Sequence, residues 1–329
     1  MKQAKASAAK TGAPRAKKPS AAARVPAQGI YVISPSSAVQ DPDMLDRAAE
    51  RLTERGFPTT LDRTAKAVNQ RFAGTDAQRL ASITRALAQK KPIVMAGRGG
   101  YGLSRLLPAI DWKAVADSGK RFVGMSDFTA FNLALLAQTG AISYTGAVAA
   151  SDFGGKKVDE LTDALFCELM RGELEILSFE TPDADPADCR GILWGGNLAM
   201  LTSLLGTPYF PKIRGGILFL EDVNVQPYAV ERMLIQLLQA GVLARQKAIV
   251  LGHFSNYRVA PSDGGYDMPD VLAWLRRNVK TPVITGLPYG HVATRATLPI
   301  GKKVGLATEP GMCHLVLDEH EHDHHDHAH

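Results

Sequence analysis

A strand–turn–helix bend at Ser126, in the stretch GMSD at 124–127, would expose a serine hydroxyl and aim the next backbone N–H at a developing oxyanion. The motif is half of G-x-S-x-G, because Phe128 stands where the last glycine would be. Ser126 could equally cap the helix that follows it, as serine routinely does. A serine nucleophile needs a base, and three of the nine histidines lie outside the carboxy-terminal decapeptide: His253, His291 and His314. His253 (VLGH) and His291 (GLPYGH) each follow a predicted strand, whereas His314 lies within a late strand-like run and reads as structural. The base needs a carboxylate to fix its tautomer. Glu221, followed by Asp222, closes the apolar run GILFL. An acid pair there is unusual in a core strand, although Glu221 could also be an acid at a helix amino terminus. Spacing alone leaves His253 and His291 as rival bases.

The loop GRGGYG at 97–102 lacks the dinucleotide-binding spacing after a first strand, and no phosphate-loop motif is present. It can still offer a backbone N–H to an oxyanion or a carboxylate. At the carboxyl end, His320, His322, His324, His325, His327 and His329 alternate with acids. Neutral imidazoles suit zinc, nickel or copper, so this tract reads as an adventitious metal-binding tail, with no metal required for the main chemistry.

The elements that must position these residues alternate. Strands are predicted at 29–34, 59–61, 92–96 and 121–125, with helices at 41–55, 75–89 and 127–138. A helix is expected at 159–171. A second unit follows with strands at 191–194, 216–220, 248–252 and 282–285 and helices at 228–240 and 269–278, a turn at Gly195-Gly196-Asn197, and short runs at 296–299 and 304–306. This order predicts an α/β chain with a parallel sheet whose ligands sit at the carboxyl ends of the strands. The expected organisation is a basic tail at 1–28, a serine-bearing domain at 29–152, a linker with a helix at 153–189, a second domain at 190–312 and a His-rich tail at 313–329.

Composition narrows the function. The 329 residues are 45% hydrophobic and 22% charged, ordinary for a globular protein. The net charge of +5 comes from residues 1–28, which hold seven of the 38 cations and no acid. The remaining 31 cations face 33 acids, so the folded part is not a nucleic-acid binder by charge. The basic extension itself leaves weak tethering to nucleic acid as a separate possibility. No apolar run approaches the roughly 18 residues that a membrane span needs. Cys167, Cys189 and Cys313 form neither a disulfide framework nor a metal motif, which suits a reducing cytoplasm.

Five stretches, in order, resemble the LD-carboxypeptidase family, the serine peptidases called muramoyltetrapeptide carboxypeptidases. They are GRGGYGLSRLL at 97–107, GMSD at 124–127, GGNL at 195–198, LFLEDV at 218–223 with Arg232-Met233-Leu234, and GLPYGH at 286–291. The resemblance spans roughly 29–310. It implies a Ser126–Glu221–His291 triad, with oxyanion donors from the backbone of Asp127 and Gly99. It implies a flavodoxin- or Rossmann-like amino-terminal domain and a smaller barrel-like carboxy-terminal one. It also implies release of D-Ala from a murein tetrapeptide in peptidoglycan recycling, without a cofactor, by a protein whose relatives are commonly homodimers. Asn197 of GGNL is placed with the substrate-binding residues. Arg98 could bind the substrate carboxylate, or be a surface or interdomain arginine. Microcin C self-immunity proteins share the triad but hydrolyse acyl-sulfamoyl adenylates; the RGGYG pattern favours the peptidase branch. A metal-binding protein using the His-rich tail is the alternative of another class.

Overall fold

The computed structural model describes residues 28–317. Both tails, including the six terminal histidines, lie outside the described residues. In chain order the first unit runs β1 (Ile30–Ile33), α1 (Asp43–Glu54), β2 (Thr59–Leu61), α2 (Asp76–Leu87), β3 (Ile93–Ala96), α3 (Trp112–Asp117), β4 (Arg121–Val123), α4 (Thr129–Thr139) and β5 (Ser143–Thr145). α5 (Glu160–Arg171) and β6 (Ile176–Glu180) follow. The chain continues with β7 (Asp188–Asn197), α6 (Leu198–Ser203), β8 (Ile217–Val223), α7 (Pro227–Gln239), β9 (Ala248–Ser255), α8 (Met268–Asn278) and β10 (Val283–Ile284). It closes with β11 (Leu298–Ile300), β12 (Lys303–Glu309) and β13 (Met312–Val316).

The first sheet has the order β11-β5-β4-β3-β1-β2, parallel except for β11. The 2-1-3-4-5 core of that order is flavodoxin-like, with its switch point between β1 and β3. The second sheet has the order β10-β9-β8-β7-β12-β13-β6. Its β7–β10 half is parallel and its β7-β12-β13-β6 half antiparallel. The expected barrel does not close. β10 is two residues long and forms no ladder with β6, and a single bridge between Ala184 and Ile284 joins the two margins.

Several boundaries move, each for a tertiary reason. Gly195-Gly196-Asn197 is not a turn. It extends β7 in parallel register with Phe219–Glu221, and a Cβ on Gly195 would lie 1.9 Å from Phe219 O. The 153–189 stretch is more than a linker, because β6 pairs with β13. The tail boundary at 313 is corrected too: Cys313 and His314 sit inside β13, between β12 and β6. His314 is structural as expected, with Nδ1 2.8 Å from Ser178 Oγ and Nε2 3.0 Å from Glu309 Oε1.

Local signals account for the helix ends. Thr75 and Gln78 form a reciprocal capping box at α2, which satisfies otherwise orphaned N–H groups. Gly140 ends α4 at φ 74, a conformation that costs glycine little. α4 is buried from Thr129 to Leu136 on every face. A helix apolar all round belongs inside a core, and α4 lies between the two units, touching β5 and α3 on one side and β7 and α6 on the other. Phe131 stacks on Phe128 at 4.8 Å and tilts against Phe122 and Trp112. One apolar cluster is therefore continuous from β1 and β3 to β7, β8 and β9.

At the rim of the first sheet Asp62 joins β1 to α2, accepting from Tyr31 Oη at 2.7 Å and from Arg85 Nε and Nη2, each at 2.7 Å. Burial pushes this carboxyl up, but Arg85, Thr64 and Tyr31 outweigh it and hold it well below the ordinary range. A carboxyl depressed in the folded state stabilises the fold above the ordinary pKa of about 4, and that contribution fades as pH falls toward the folded value. Asp62→Asn is expected to lower stability at neutral pH by about 2–3 kcal/mol. Urea melts from pH 7 down to pH 2 should show the difference from wild type shrinking as the pH falls.

Candidate active site

Ser126 follows β4 on a short 3-10 turn, Ser126–Phe128, that leads into α4. Its φ is +65°, left-handed for a residue with a side chain, a conformation that costs on the order of 1–3 kcal/mol. The surrounding packing imposes it. Phe128 is fully buried, and a Cβ on Gly124 would come within 2.5 Å of its ring, so the strand exit has one tight path. The hydroxyl of Ser126 caps neither the 3-10 turn nor α4, so the capping reading is set aside.

The Gly-rich loop lies directly against this turn. A Cβ on Gly99 would fall 2.6 Å from Ser126 Cβ and 3.0 Å from its Oγ, so only glycine lets the backbone approach so closely. Asp127 ties the two segments together. Its buried carboxylate accepts from Leu103 N at 2.9 Å. Burial pushes this carboxyl up, while the Leu103 and Gly102 amides and the Ser36 hydroxyl pull the other way. Arg79 pins the same loop from beneath: fully buried, it donates to Pro35 O and Gly102 O and pairs with Asp76. No local pattern marks Arg79, which reads along the chain as one more charge on an amphipathic helix.

Glu221 and His291 come from the second unit. Glu221 lies within β8, six residues before α7 begins at Pro227, so it is not a helix amino-terminal acid. It is fully buried and its Oε2 is 2.8 Å from His291 Nδ1. A carboxylate can only accept, so the contact assigns a proton to Nδ1, and in the neutral ring Nε2 then carries the lone pair. The other oxygen, Oε1, accepts from Asn197 Nδ2 at 3.1 Å. The same Nδ2 donates to Asp222 Oδ1 at 3.0 Å, and Asn197 Oδ1 caps α6 at Met200 N. Asn197 is thus a buried brace for the two acids, and its placement with the substrate-binding residues is corrected. Burial pushes the Asp222 carboxyl up, against the amides of Val223 and Ala199 and the Asn197 side chain.

The loop that carries His291 is tied to both sheets. Tyr289 is fully buried, its hydroxyl 2.5 Å from Thr145 Oγ1 on β5 and its ring edge-on to Phe219 on β8. Its carbonyl accepts from His253 N, and His291 O accepts from Ser255 Oγ.

Ser126, Gly99 and His291 line one cavity of about 500 Å³. The loops after β1, β3, β4 and β5 of the first sheet and after β8 and β9 of the second form its walls, so two sets of strand carboxyl ends face each other across it. The switch point between β1 and β3 contributes Gln40 and Arg98. Ser126, Asn224 and Asn256, three of the four non-glycine residues with positive φ among the described residues, are in its lining. Among the described residues no acid and no Phe, Tyr or Trp lines it; the cations are Arg98 and Arg295. Arg295 is a residue the sequence reading missed, because it follows the GLPYGH stretch and matches no motif. His253 lines a different cavity, with Tyr257 and Leu272, and does not meet Ser126 there. Among the described residues no cluster of three or more His, Cys, Asp or Glu could hold a metal. No helix among them is long and apolar enough to cross a membrane.

Comparison with known proteins agrees with this geometry. Residues 30–146 match the LD-carboxypeptidase N-terminal domain and residues 190–306 the C-terminal domain. A probable murein peptide carboxypeptidase of Bacillus subtilis is 32% identical over 284 residues, 85% of this chain and 88% of that protein. The crystal structure of muramoyltetrapeptide carboxypeptidase from Oxalobacter formigenes superposes with a TM-score of 0.83 at 43% identity, covering 87% of this chain and 97% of that one. The microcin C7 self-immunity protein of Escherichia coli is 25% identical over 310 residues, 84% of this chain and 89% of that protein. With both domain models matched in order and the relatives covered almost end to end, the chain belongs to the LD-carboxypeptidase family of serine-type carboxypeptidases.

Proposed function

We propose that the protein is an LD-carboxypeptidase that releases the terminal D-Ala of a murein tetrapeptide through a Ser126–Glu221–His291 triad. The observation that carries this reading is the Glu221–His291 contact, with Nε2 left free on a histidine that shares a cavity with Ser126. His291 takes the proton from the Ser126 hydroxyl as Oγ attacks the scissile carbonyl, and Glu221 stabilises the imidazolium that forms. The backbone N–H groups of Asp127 and Gly99 are the oxyanion donors; one such donor is worth roughly 3–4 kcal/mol of transition-state stabilisation. His291 then returns the proton to the leaving amine of D-Ala, and water releases the acyl-enzyme. The left-handed turn at Ser126 and the packing of Gly99 against it support this assignment, because they bring the Gly-rich backbone up to Oγ. The chemistry calls for no cofactor.

The related proteins named as murein peptide carboxypeptidases support the substrate class. The lining favours it too: two arginines suit a peptide bearing several carboxylates, and among the described residues no Phe, Tyr or Trp stands there for a nucleobase to stack on. A cytoplasmic homodimer acting in peptidoglycan recycling is the setting that follows from this substrate and this family.

Incubation with L-Ala-γ-D-Glu-meso-diaminopimelyl-D-Ala should release D-Ala, seen by mass spectrometry, and Ser126→Ala should abolish it. Cleavage of an aminoacyl-sulfamoyl adenylate in its place would move the chain to the self-immunity branch. Glu221→Gln should lower kcat by roughly 10³–10⁴-fold, the scale for losing the orienting carboxylate. Deleting residues 320–329 should leave turnover unchanged; loss of turnover on that deletion would favour the metal-binding alternative. Tyr289→Phe is expected to lower kcat about tenfold with KM held, because the histidine loop loses its tie to β5 while the cavity wall stays intact.

A further inference from the structure

An exopeptidase must distinguish a free terminal carboxylate from a continuing chain, and the triad does not supply that group. Elementary geometry says where it must be. The leaving amine collects its proton from His291, and in an amino acid the carboxylate stands one carbon away from that amine. The cation that reads the terminus must therefore lie beside His291. The cavity offers two cations. Arg98 belongs to the Gly-rich loop on the oxyanion side, and its Nη1 donates to Ala38 O at 3.0 Å. Arg295 lies on the loop that carries His291. Its Nη2 donates at 2.7 Å to Val292 O, the carbonyl of the residue after the histidine. Its Nη1 sits 3.1 Å from Met125 Sδ, on the residue before the serine. The guanidinium is thus placed between the immediate neighbours of His291 and Ser126.

Arg295 is also held in place without being satisfied. Asp152, 4% exposed and absent from the cavity lining, stands 3.3 Å from Nη2. The Met125 thioether is a weak acceptor, and the buried Nε has no acceptor among the described residues. A planar guanidinium oriented from one side, with donors to spare, matches carboxylate geometry.

We propose that Arg295 is the specificity-determining residue that binds the free α-carboxylate of the leaving D-amino acid, with Asp152 orienting it from behind and the Met125 contact giving way to the carboxylate. Arg98 then serves the acyl side of the peptide. The proposal rests on the peptidase reading above.

Steady-state kinetics on the tetrapeptide ending in D-Ala, and on the same peptide ending in D-Ala amide, test it. The wild type should prefer the free acid by roughly 100-fold or more in kcat/KM, as expected when a buried charged group loses its partner. Arg295→Met should bring the acid down to near the amide rate and leave the amide rate within about threefold of wild type. Arg295→Lys should restore part of the preference, and Arg98→Met should lower both rates while keeping their ratio. Because Arg295→Met strands the buried Asp152, the pair Arg295→Met/Asp152→Asn is measured beside it, with a thermal melt to confirm folding; the same loss of preference is expected. A folded Arg295 variant that keeps the wild-type ratio, or an Arg98 variant that loses it, overturns the assignment. A wild type that cuts acid and amide equally overturns it while leaving the peptidase reading intact, and a wild type that cuts neither removes both.

Discussion

The pairing of β11 with β5 is the joint on which the site depends. Ser126 and the Gly-rich loop hang from the first sheet, whereas Glu221 and His291 follow strands of the second. The proton transfer proposed between hydroxyl and imidazole would tolerate little misplacement, since an error near 1 Å can cost on the order of 100-fold in rate. The two sheets must therefore behave as one body. The chain achieves this by leaving β10 of the second sheet, carrying His291 through a loop, and entering β11, which pairs antiparallel with Ser143–Thr145 of the first. The histidine loop is anchored at one end to each sheet. The Tyr289–Thr145 hydroxyl contact reinforces the anchor from within, and the all-round apolar α4 fills the space between the units.

Polar burial is the second constraint. Asp127, Asp152, Glu221 and Asp222 are all buried within reach of the cavity. Burying a carboxylate is costly unless donors or a cation meet it. Here backbone amides, Asn197, His291 and Arg295 meet these four acids, with Asp127 Oδ1 alone among their oxygens left without a partner among the described residues. Three of the four thereby fix a backbone segment: Asp127 holds the Gly-rich loop, Asp222 holds the start of α6, and Asp152 holds the amide of Val148 on the far wall. The polar network that supports the site also shapes its walls.

Much of this was legible in the residues. The strand and helix alternation of the first unit came through because each element carries its own period and its own punctuation: β-branched runs for β1 and β3, the Thr75–Gln78 cap for α2, Gly140 after α4. Ser126, Glu221 and His291 stood out because each follows an apolar strand, and strand ends are where α/β sheets place ligands. Missed elements lacked a local signal. β5 is three residues, and β6 is a five-residue antiparallel strand whose alternation rests on only two inward positions, Leu177 and Phe179. Gly195-Gly196 looked like a turn because two glycines usually make one; in the fold Gly195 runs so close to Phe219 O that no side chain fits, and Gly196 is packed against Thr129.

The sequence by itself determined the fold class, the order of the elements and a short set of chemically able residues, because hydrophobic period and turn chemistry are local properties. Only the tertiary structure distinguishes His291 from His253, since both follow strands and only His291 meets Glu221 and shares a cavity with Ser126. It also set Asn197 between two buried acids, brought Arg295 to the cavity wall and put Asp152 behind it. Those roles depend on contacts between residues far apart in the chain, and no spacing along the chain encodes which of them meet.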